Sequence, residues 1–555
     1  MEQNLKNLIQ KIPKEVSHVT DTLEKAGFEA YLVGGCVRDL IMDRKPKDWD
    51  VTTKAKPEQI ISLFEKTIYE NNFGTVGVVV PCETTSPDLR PPSPDRRGAG
   101  VEVNRETFTI EVTPYRIEAK YSDFRHPDEV KFGDTLEDDL KRRDFTINAM
   151  AFSAKGGSVS GGRSEGHLMD MFGGIKDIKD KTLRTVGNPD DRFSEDALRM
   201  LRAVRFACQL DFSVSYETTE SIFKNADLVK KISAERIHDE FIKIIMSENP
   251  ASGIVMLQKF GLLKNIIPEL EEGIGCEQLG EHIYDVWNHL LHALQHAADK
   301  NWSLEIRLAA LFHDIGKPKA RRLATELSST KNSPTFALGD KRTGNPRLPE
   351  FLSGKALEKK KYTFYGHEVV GARMTKKIME RLKFPKKEIE LTEKLIRNHM
   401  FFSDTELITL SAVRRIIVKV GKEHIWDLMN VRECDRVGMK KKEAPYRLRK
   451  YFAMIEEALR DPISVGQLKI DGEFMIKELE IKPGPRMGWI LNALLEEILD
   501  APEKNTVEHL SGLVKSLNML GDAELKTLGD RGKEKKEELE EKEVEKLHTK
   551  HGVRK

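Results

Sequence analysis

Residues Tyr31-Leu-Val-Gly-Gly-Cys-Val-Arg-Asp-Leu-Ile41, followed by Lys47-Asp-Trp-Asp-Val51, set a glycine turn and two spaced carboxylates inside one strand–helix–strand unit. Ala30 to Val33 is apolar and predicts a strand; Val37 onward predicts a helix. Between them Gly34 and Gly35 let backbone amides come close to a ligand, and the start of a helix favours an anion. Arg38 follows within reach of the same anion. If the chain extends again at Asp48-Trp49-Asp50, the two-residue period of a strand points Asp48 and Asp50 to one face and Trp49 to the other. Carboxylates so paired hold two divalent cations about 3.5 to 4 Å apart, an arrangement suited to a nucleoside triphosphate. Either motif alone is equally an ordinary turn or a polar strand end, and only their adjacency points to chemistry.

The bulk composition bounds the rest. A chain of 555 residues divides into three or four units, because one hydrophobic core rarely grows past roughly 250 to 300 residues. A third of the residues are charged but the net charge is only +1, so any nucleic-acid site is a local patch rather than a global basic field. Five scattered cysteines without C-x-x-C spacing argue against a disulfide framework or a zinc knuckle and for reduced thiols in the cytoplasm. Nowhere do eighteen apolar residues run together, and Met1 to Pro13 lacks a secretory pattern, so neither membrane spanning nor secretion is expected.

Along the chain, a helix is predicted up to about residue 27, then strands of a mixed sheet that include Val76–Val80 and Thr107–Thr113. From about Pro189 the pattern is helical to the end. Thr84 to Gly100, Lys155 to Gly166 and Thr325 to Lys361 have little to bury and are predicted as surface loops or insertions. Gly529 to Lys555 is nearly all Lys and Glu, a solvated helix or a disordered tail to which no function is assigned.

Two further segments carry chemistry. Lys141-Arg-Arg-Asp-Phe-Thr-Ile-Asn-Ala-Met150, taken as helix, puts Asp144 and Asn148 on one face beside cations that neutralise phosphate, with the acid able to accept a ribose hydroxyl. A capped helix start with charged neighbours explains the same residues. In Ser194-Glu-Asp-Ala-Leu-Arg-Met-Leu-Arg-Ala-Val-Arg-Phe206, Asp196 and Arg199 fall one turn apart, with Arg202 and Arg205 beyond. A carboxylate that accepts from an exocyclic amine, beside a guanidinium that donates to a ring nitrogen, matches the pairing edges of cytosine and adenine. Uracil and guanine present the reverse order and are repelled. The alternative is an ordinary helix, with Ser194 as N-cap and Arg199 in a surface pair.

The order G-G-x-V-R-D, D-x-D, R-R-D-F-T-x-N-A, E-D-x-x-R-x-x-R-A-x-R-F resembles the class II CCA-adding tRNA nucleotidyltransferases of the polymerase β superfamily. The resemblance covers roughly residues 28 to 515 and is strongest at the start. It implies an α+β fold, a mixed-sheet head followed by an all-α neck, body, HD domain and tail. The boundaries expected are 1–187 for the head, 188–275 for neck and body, 282–440 for the HD domain, 441–528 for an RNA-binding tail and 529–555 for the charged end. By motif, Asp48 and Asp50 would hold Mg²⁺, with Glu111 as a third carboxylate, and Gly34, Gly35 and Arg38 would contact triphosphate. Arg143, Asp144 and Asn148 would serve phosphate and ribose, while Asp196 and Arg199, continued by Arg202 and Arg205, would select CTP and then ATP. Poly(A) polymerases share most of these motifs. Phe73-Gly-Thr-Val76 resembles the CCA-adding form, and Tyr121-Ser-Asp-Phe-Arg-His-Pro127 the loop kept by enzymes that add CCA or A alone, so poly(A) or A-only addition stays open.

A second set, His289, His313-Asp314, His367, His399 and Asp435, runs in the order H, HD, H, H, D and resembles the HD phosphohydrolases. Imidazoles and carboxylates on successive helices can close around a divalent transition metal or Mg²⁺. Some enzymes of this kind hydrolyse phosphomonoesters and 2′,3′-cyclic phosphates, so a chain that is chiefly a phosphohydrolase is the rival from another class. Leu468 to Met475 and Ile481 to Leu491 resemble an RNA-binding tail, in which Lys482 or Arg486 would meet phosphates; a turn that lets helices pack closely is the other reading. The partners implied are the 3′ end and elbow of tRNA, CTP and ATP, in the cytoplasm and with no membrane.

Overall fold

The computed structural model describes residues 7–70, 74–81, 107–117, 131–154, 166–278, 282–323, 362–400, 409–438, 446–460 and 465–553. The chain forms two compact units, residues 1–397 with 433–439, and residues 398–432 with 440–555.

The first unit opens on a seven-stranded mixed sheet. Its strands are β1 (Ala30–Val33), β2 (Asp50–Thr53), β3 (Thr67–Glu70), β4 (Thr75–Pro81), β5 (Thr107–Pro114), β6 (Met150–Ser153) and β7 (His167–Asp170). They lie in the order β3-β4-β5-β2-β1-β6-β7. Only β2 and β5 run parallel; β1 is antiparallel to both β2 and β6. Alternation along the strands builds two cores. Leu32, Val51, Ile110 and Val112 join Val16, Val19, Leu23, Val37 and Ile60 on one face, whereas Tyr31 and Val33 turn to the other, against Tyr115, Leu136 and Leu140. A strand buried on both sides reads as an uninterrupted apolar run, which is why Ala30–Val33 was legible. Trp49 packs into the main core. Asp50 and Glu111, each next to a residue of that core, therefore lie on the opposite face.

The ladder between β4 and β5 is closed at Pro81↔Thr107, and that between β6 and β7 at Ser153↔His167. The segment from Arg322–Leu323 to Tyr362–Thr363 is likewise bracketed by an antiparallel pair. Most of the three loops expected from composition, like Phe73 and Tyr121 to Pro127, lies outside the described residues.

From Pro189 the described residues of the unit are almost wholly helical apart from two short strand pairings, the Arg322–Leu323 pair with Tyr362–Thr363 and Ser213–Val214, which runs parallel to Thr182–Leu183. The expectation of one helix through the Glu195-Asp196 motif is corrected. Pro189–Glu195 ends at Asp196, which is extended (φ −142°, ψ 103°), and a second helix spans Leu198–Leu210. Asp196, not Ser194, caps that helix, its Oδ1 accepting from the Leu198 amide at 3.0 Å.

The second unit holds its own core, in which Ile490, Leu494, Leu495 and Ile498 of the helix Pro485–Asp500 meet Leu510, Val514 and Leu525. The segment expected as a solvated or disordered end is part of a 29-residue helix, Asp522–Lys550, which runs straight through the boundary drawn at 528. It packs closely because Gly529 and Gly532 carry no side chain. A Cβ on Gly529 would lie 2.8 Å from Trp489 Cα, and one on Gly532 would collide with the Asn492 carbonyl. Arg486 donates to the carbonyls of Asn518 (2.8 Å) and Leu520 (2.6 Å) and pairs with Asp522. It thus ties the helix Pro485–Asp500 to the turn before the last helix. Among the described residues no helix is long and apolar enough to cross a membrane. Cys36, Cys208, Cys276 and Cys434 are free thiols, all buried.

Candidate active sites

Gly34 stands in a backbone conformation that favours glycine (φ +81°) and precedes the helix Gly35–Ile41. A Cβ there would meet Arg143 Nη1 at 3.0 Å and Asp50 Oδ2 at 3.6 Å, so the turn, a guanidinium and a carboxylate share one small volume. Asp50 opens β2, and its register partner on the parallel neighbour β5 is Glu111; side chains so paired leave the sheet on the same face. Asp48 lies in the bend just before β2 and is exposed, Trp49 is buried and Asp50 is half-buried. Exposure alternates across the D-x-D triplet, although the strand itself begins only at Asp50. Gly77 is the antiparallel partner of Glu111, which leaves the floor beside the acids low.

The cations around this face are held in advance. Asp139 is buried and pairs with Arg142 (2.6 Å) and Arg143 (3.0 Å). Burial would raise its pKa, but the two guanidiniums hold it below the usual carboxylate range. Arg38 is largely buried and donates to Asp39 (2.9 Å) and Asn148 Oδ1 (2.8 Å). Asp144 and Asn148 do not share a helix: the helix ends at Lys141 and Thr146–Asn148 is a 3₁₀ turn. They still touch, Asn148 Nδ2 donating to Asp144 Oδ1 at 3.3 Å, because the tight turn closes a similar four-residue span. Asp144 Oδ2 accepts from Arg202 Nε at 2.7 Å. Burial would raise the Asp144 pKa; the charge and hydrogen bond of Arg202, the charge of Arg199 and the amide of Asn148 bring it down to about 2. Phe206 lies under the guanidiniums of Arg205, Arg38 and Arg202, at 4.1, 5.3 and 5.4 Å. Arg205 itself pairs with buried Glu240 at 2.7 Å.

Asp196 and Arg199 are held by other groups rather than by each other. Asp196 Oδ2 accepts from Arg236 at 2.7 Å. Arg199 donates to Glu195 (2.5 Å) and to the carbonyls of Arg192 (3.2 Å) and Arg142 (3.1 Å). The contact to Arg142 links the neck helix to the segment that holds Arg143. Sequence reading missed Arg236, because forty residues separate it from Asp196 and nothing local marks it.

The second cluster is built on three elements. His289 lies in the helix Val286–Asp299, whose first turn Asp285 caps; His313-Asp314 follows the helix Leu304–Phe312; Asp435 lies in the 433–439 segment. His289 Nε2 is 3.0 Å from His313 Nε2, 3.3 Å from Asp314 Oδ2 and 3.4 Å from Asp435 Oδ1. His313 Nε2 is 3.3 Å and 3.5 Å from the same two oxygens. Four buried donors with such edges match ligands about 2 Å from one shared ion, so the cluster can hold a metal ion. The His313 Nδ1 donates to the Ala310 carbonyl (2.9 Å), which turns Nε2 to the cluster. Burial alone would lower the His313 pKa, but the neighbouring Asp314 and Asp435 push it up to about 10. Lys317 Nζ touches Asp314 Oδ2 at 2.5 Å, and His367 Nε2 touches Asp314 Oδ1 at 3.1 Å. His399 is buried in the second unit. His282, which sequence reading passed over, sets its ring edge-on to His289 at 5.1 Å.

Three family models match in the same order. Residues 30–184 match the poly A polymerase head domain, 211–274 the probable RNA and SrmB-binding site of polymerase A, and 286–437 the HD domain. A CCA-adding enzyme of Ligilactobacillus salivarius (strain UCC118) is 41% identical over 251 residues, which is 44% of this chain and 54% of that one. One of Lactobacillus helveticus (strain DPC 4571) is 44% identical over 227 residues, 41% of this chain and 48% of that one. The chain thus spans about half the length of the curated relatives it matches. The crystal structure of a Bacillus stearothermophilus CCA-adding enzyme in complex with CTP is similar in fold (TM-score 0.51, 23% identity, 91% of this chain and 97% of that one). The chain carries a match to the poly A polymerase head domain followed downstream by a match to the HD domain, and the curated relatives it resembles over about half their length are CCA-adding enzymes.

Proposed function

We propose that the chain adds C, C and A to the 3′ end of tRNA from CTP and ATP. The observation that carries this is the convergence of Asp50, its register partner Glu111, the positive-φ Gly34 and Arg143 on one face of the head sheet. The 3′ hydroxyl of the RNA attacks the α-phosphorus, a new P–O bond forms, the bond to the β-phosphate breaks, and pyrophosphate leaves. Mg²⁺ ions held by Asp48 and Asp50, with Glu111 beside them, would lower the cost of ionising that hydroxyl and of releasing pyrophosphate. The amides of Gly34 and Gly35 and the guanidinium of Arg143 receive the triphosphate. Arg38, engaged with Asn148, and Asp144, engaged with Arg202, keep the head turn and the neck helix in register around the ribose. Asp196 and Arg199 select cytosine and adenine by their amine and ring nitrogen. The setting is cytoplasmic, in keeping with buried free thiols.

The test is to offer tRNA ending before CCA each nucleotide separately, then CTP with ATP. C, C and A in order are expected. A run of A from ATP alone would favour a poly(A) polymerase, and A only on an acceptor already ending in CC would favour A-only addition.

The buried His289, His313, Asp314 and Asp435 set supports a second activity on the same chain: metal-dependent hydrolysis of a phosphomonoester or a 2′,3′-cyclic phosphate, which suits repair of damaged tRNA ends. A divalent ion there would supply a Lewis acid. Lys317 and His367 hold the Asp314 carboxylate from two sides.

A further inference from the structure

We infer that Arg236 is a specificity-determining positioning residue that fixes the plane of the Asp196 carboxylate, so that a nucleotide base is read through a residue of the downstream helix. The inference rests on the proposal that Asp196 and Arg199 select the base.

Asp196 stands at a break between two helices, where its backbone is extended; its amide closes the last turn of the first helix on the Arg192 carbonyl and its own carbonyl accepts from the Arg199 amide, so the main chain is fixed while the side-chain torsions are not. The terminal torsion of an aspartate is broad, so a carboxylate at such a place needs outside partners to hold one orientation. It has two. Oδ1 accepts from the Leu198 amide at 3.0 Å, and Oδ2 accepts from Arg236 Nη2 at 2.7 Å. The side chains of Arg236 and Asp196 are 24% and 20% exposed, so water screens the pair only partly. Each oxygen keeps a second lone pair, and an exocyclic amine can use it without displacing either partner. Arg199 is restrained by the matching device, in which Glu195 Oε2 takes its Nη1 and Glu195 Oε1 takes Arg192 at 2.7 Å. Base choice depends on two groups held to about 0.5 Å, and Arg236 supplies the half of that restraint that acts on the acid. Arg236 belongs to the helix Ala234–Ile245, inside the segment matched to the probable RNA-binding site of polymerase A.

The test uses the full chain and tRNA lacking CCA. For wild type and Arg236→Met, kcat/KM is measured for CTP and for UTP. The variant is expected to lose at least about tenfold in the CTP:UTP ratio, the worth of one charge-assisted hydrogen bond, while KM for CTP moves by less than about threefold. Arg236→Lys should restore most of the ratio, since it keeps a cationic donor. Asp196→Ala with Arg236→Met should discriminate no worse than Asp196→Ala alone, because both act through one carboxylate. A merely structural Arg236 would slow all nucleotides alike. An unchanged ratio in Arg236→Met therefore overturns the inference, as does a double variant clearly worse than Asp196→Ala. Should Arg236→Met not fold, Arg236→Gln is read by the same ratio. If Asp196→Ala itself still rejects UTP, the base-selecting reading fails and takes the inference with it.

Discussion

Asp144 shows how the site binds its own parts. Its two oxygens take Arg202, Asn148 and the Phe145 amide, which leaves it acting as a pin between the head and the neck helix. Removing one partner of a fully buried pair costs about 3 kcal/mol or more; because the Arg202 side chain is 34% exposed and water screens it in part, Asp144→Asn should cost about 2 to 3 kcal/mol at neutral pH. The pH dependence has a definite sign. The carboxyl falls from its ordinary 3.8 to about 2 on folding, so its stabilisation is fully present above the higher value and is lost as pH drops through the lower one. The gap between wild type and Asp144→Asn in the urea transition of the head should then shrink by about 2 kcal/mol from about pH 5 to about pH 2. A gap that stays constant would mean that folding does not shift the Asp144 carboxyl. The contact between Asp144 and Asn148 was legible in the four-residue spacing, although the helix supposed to create it was not there. Arg236 was not legible at all, since a pairing across forty residues depends on how two helices pack, and a lone arginine on a helix reads as surface.

At the scale of elements, local alternation carried the head. The strands Ala30–Val33, Thr75–Pro81 and Thr107–Pro114 follow from apolar runs and period-two patterns, and the acids on their polar face follow with them. The C-terminal helix Asp522–Lys550 resisted the same reading, because its buried stripe is Leu525, Gly529 and Gly532 and glycine counts as neither apolar nor helix-forming. Its charges pair with acids on two other helices, Arg531 with Glu496 at 2.8 Å and Lys550 with Glu456 at 2.7 Å. Gly532→Ala should destabilise the second unit by roughly 1 to 3 kcal/mol, since a methyl group there meets the Asn492 carbonyl. Gly512 lies exposed inside the helix Val507–Asn518 with nothing near its Cβ position. Gly512→Ala should stabilise by about 0.5 to 1 kcal/mol. Opposite shifts in urea midpoint are expected; equal shifts would show that helix propensity, not close packing, governs both.

At the scale of the whole chain, two sets of acids with different neighbours predict two separable chemistries. Asp50 and Glu111 open from neighbouring strands of the head sheet with exposed Asp48 just before them, and carboxylate oxygens of this kind would suit a hard, well-hydrated ion such as Mg²⁺. His289, His313, Asp314 and Asp435 form a buried mixed nitrogen and oxygen set, which suits transition metals better and releases them more slowly. Asp50→Ala should abolish nucleotide transfer, a loss of at least about a thousandfold for a group that holds the charge of the reaction, while hydrolysis of 2′,3′-cyclic AMP persists. Asp314→Asn should do the reverse. It should also cut the amount of Ni²⁺ or Mn²⁺ retained after desalting from about one ion per chain to a small fraction, read by elemental analysis independently of any activity. The two readouts protect the argument from each other's failure. Retained metal without hydrolysis would keep the site and discard its proposed substrates, whereas retention unchanged in Asp314→Asn would remove the metal assignment itself. Loss of both activities in either single variant would mean that the head and the HD domain do not work as independent centres.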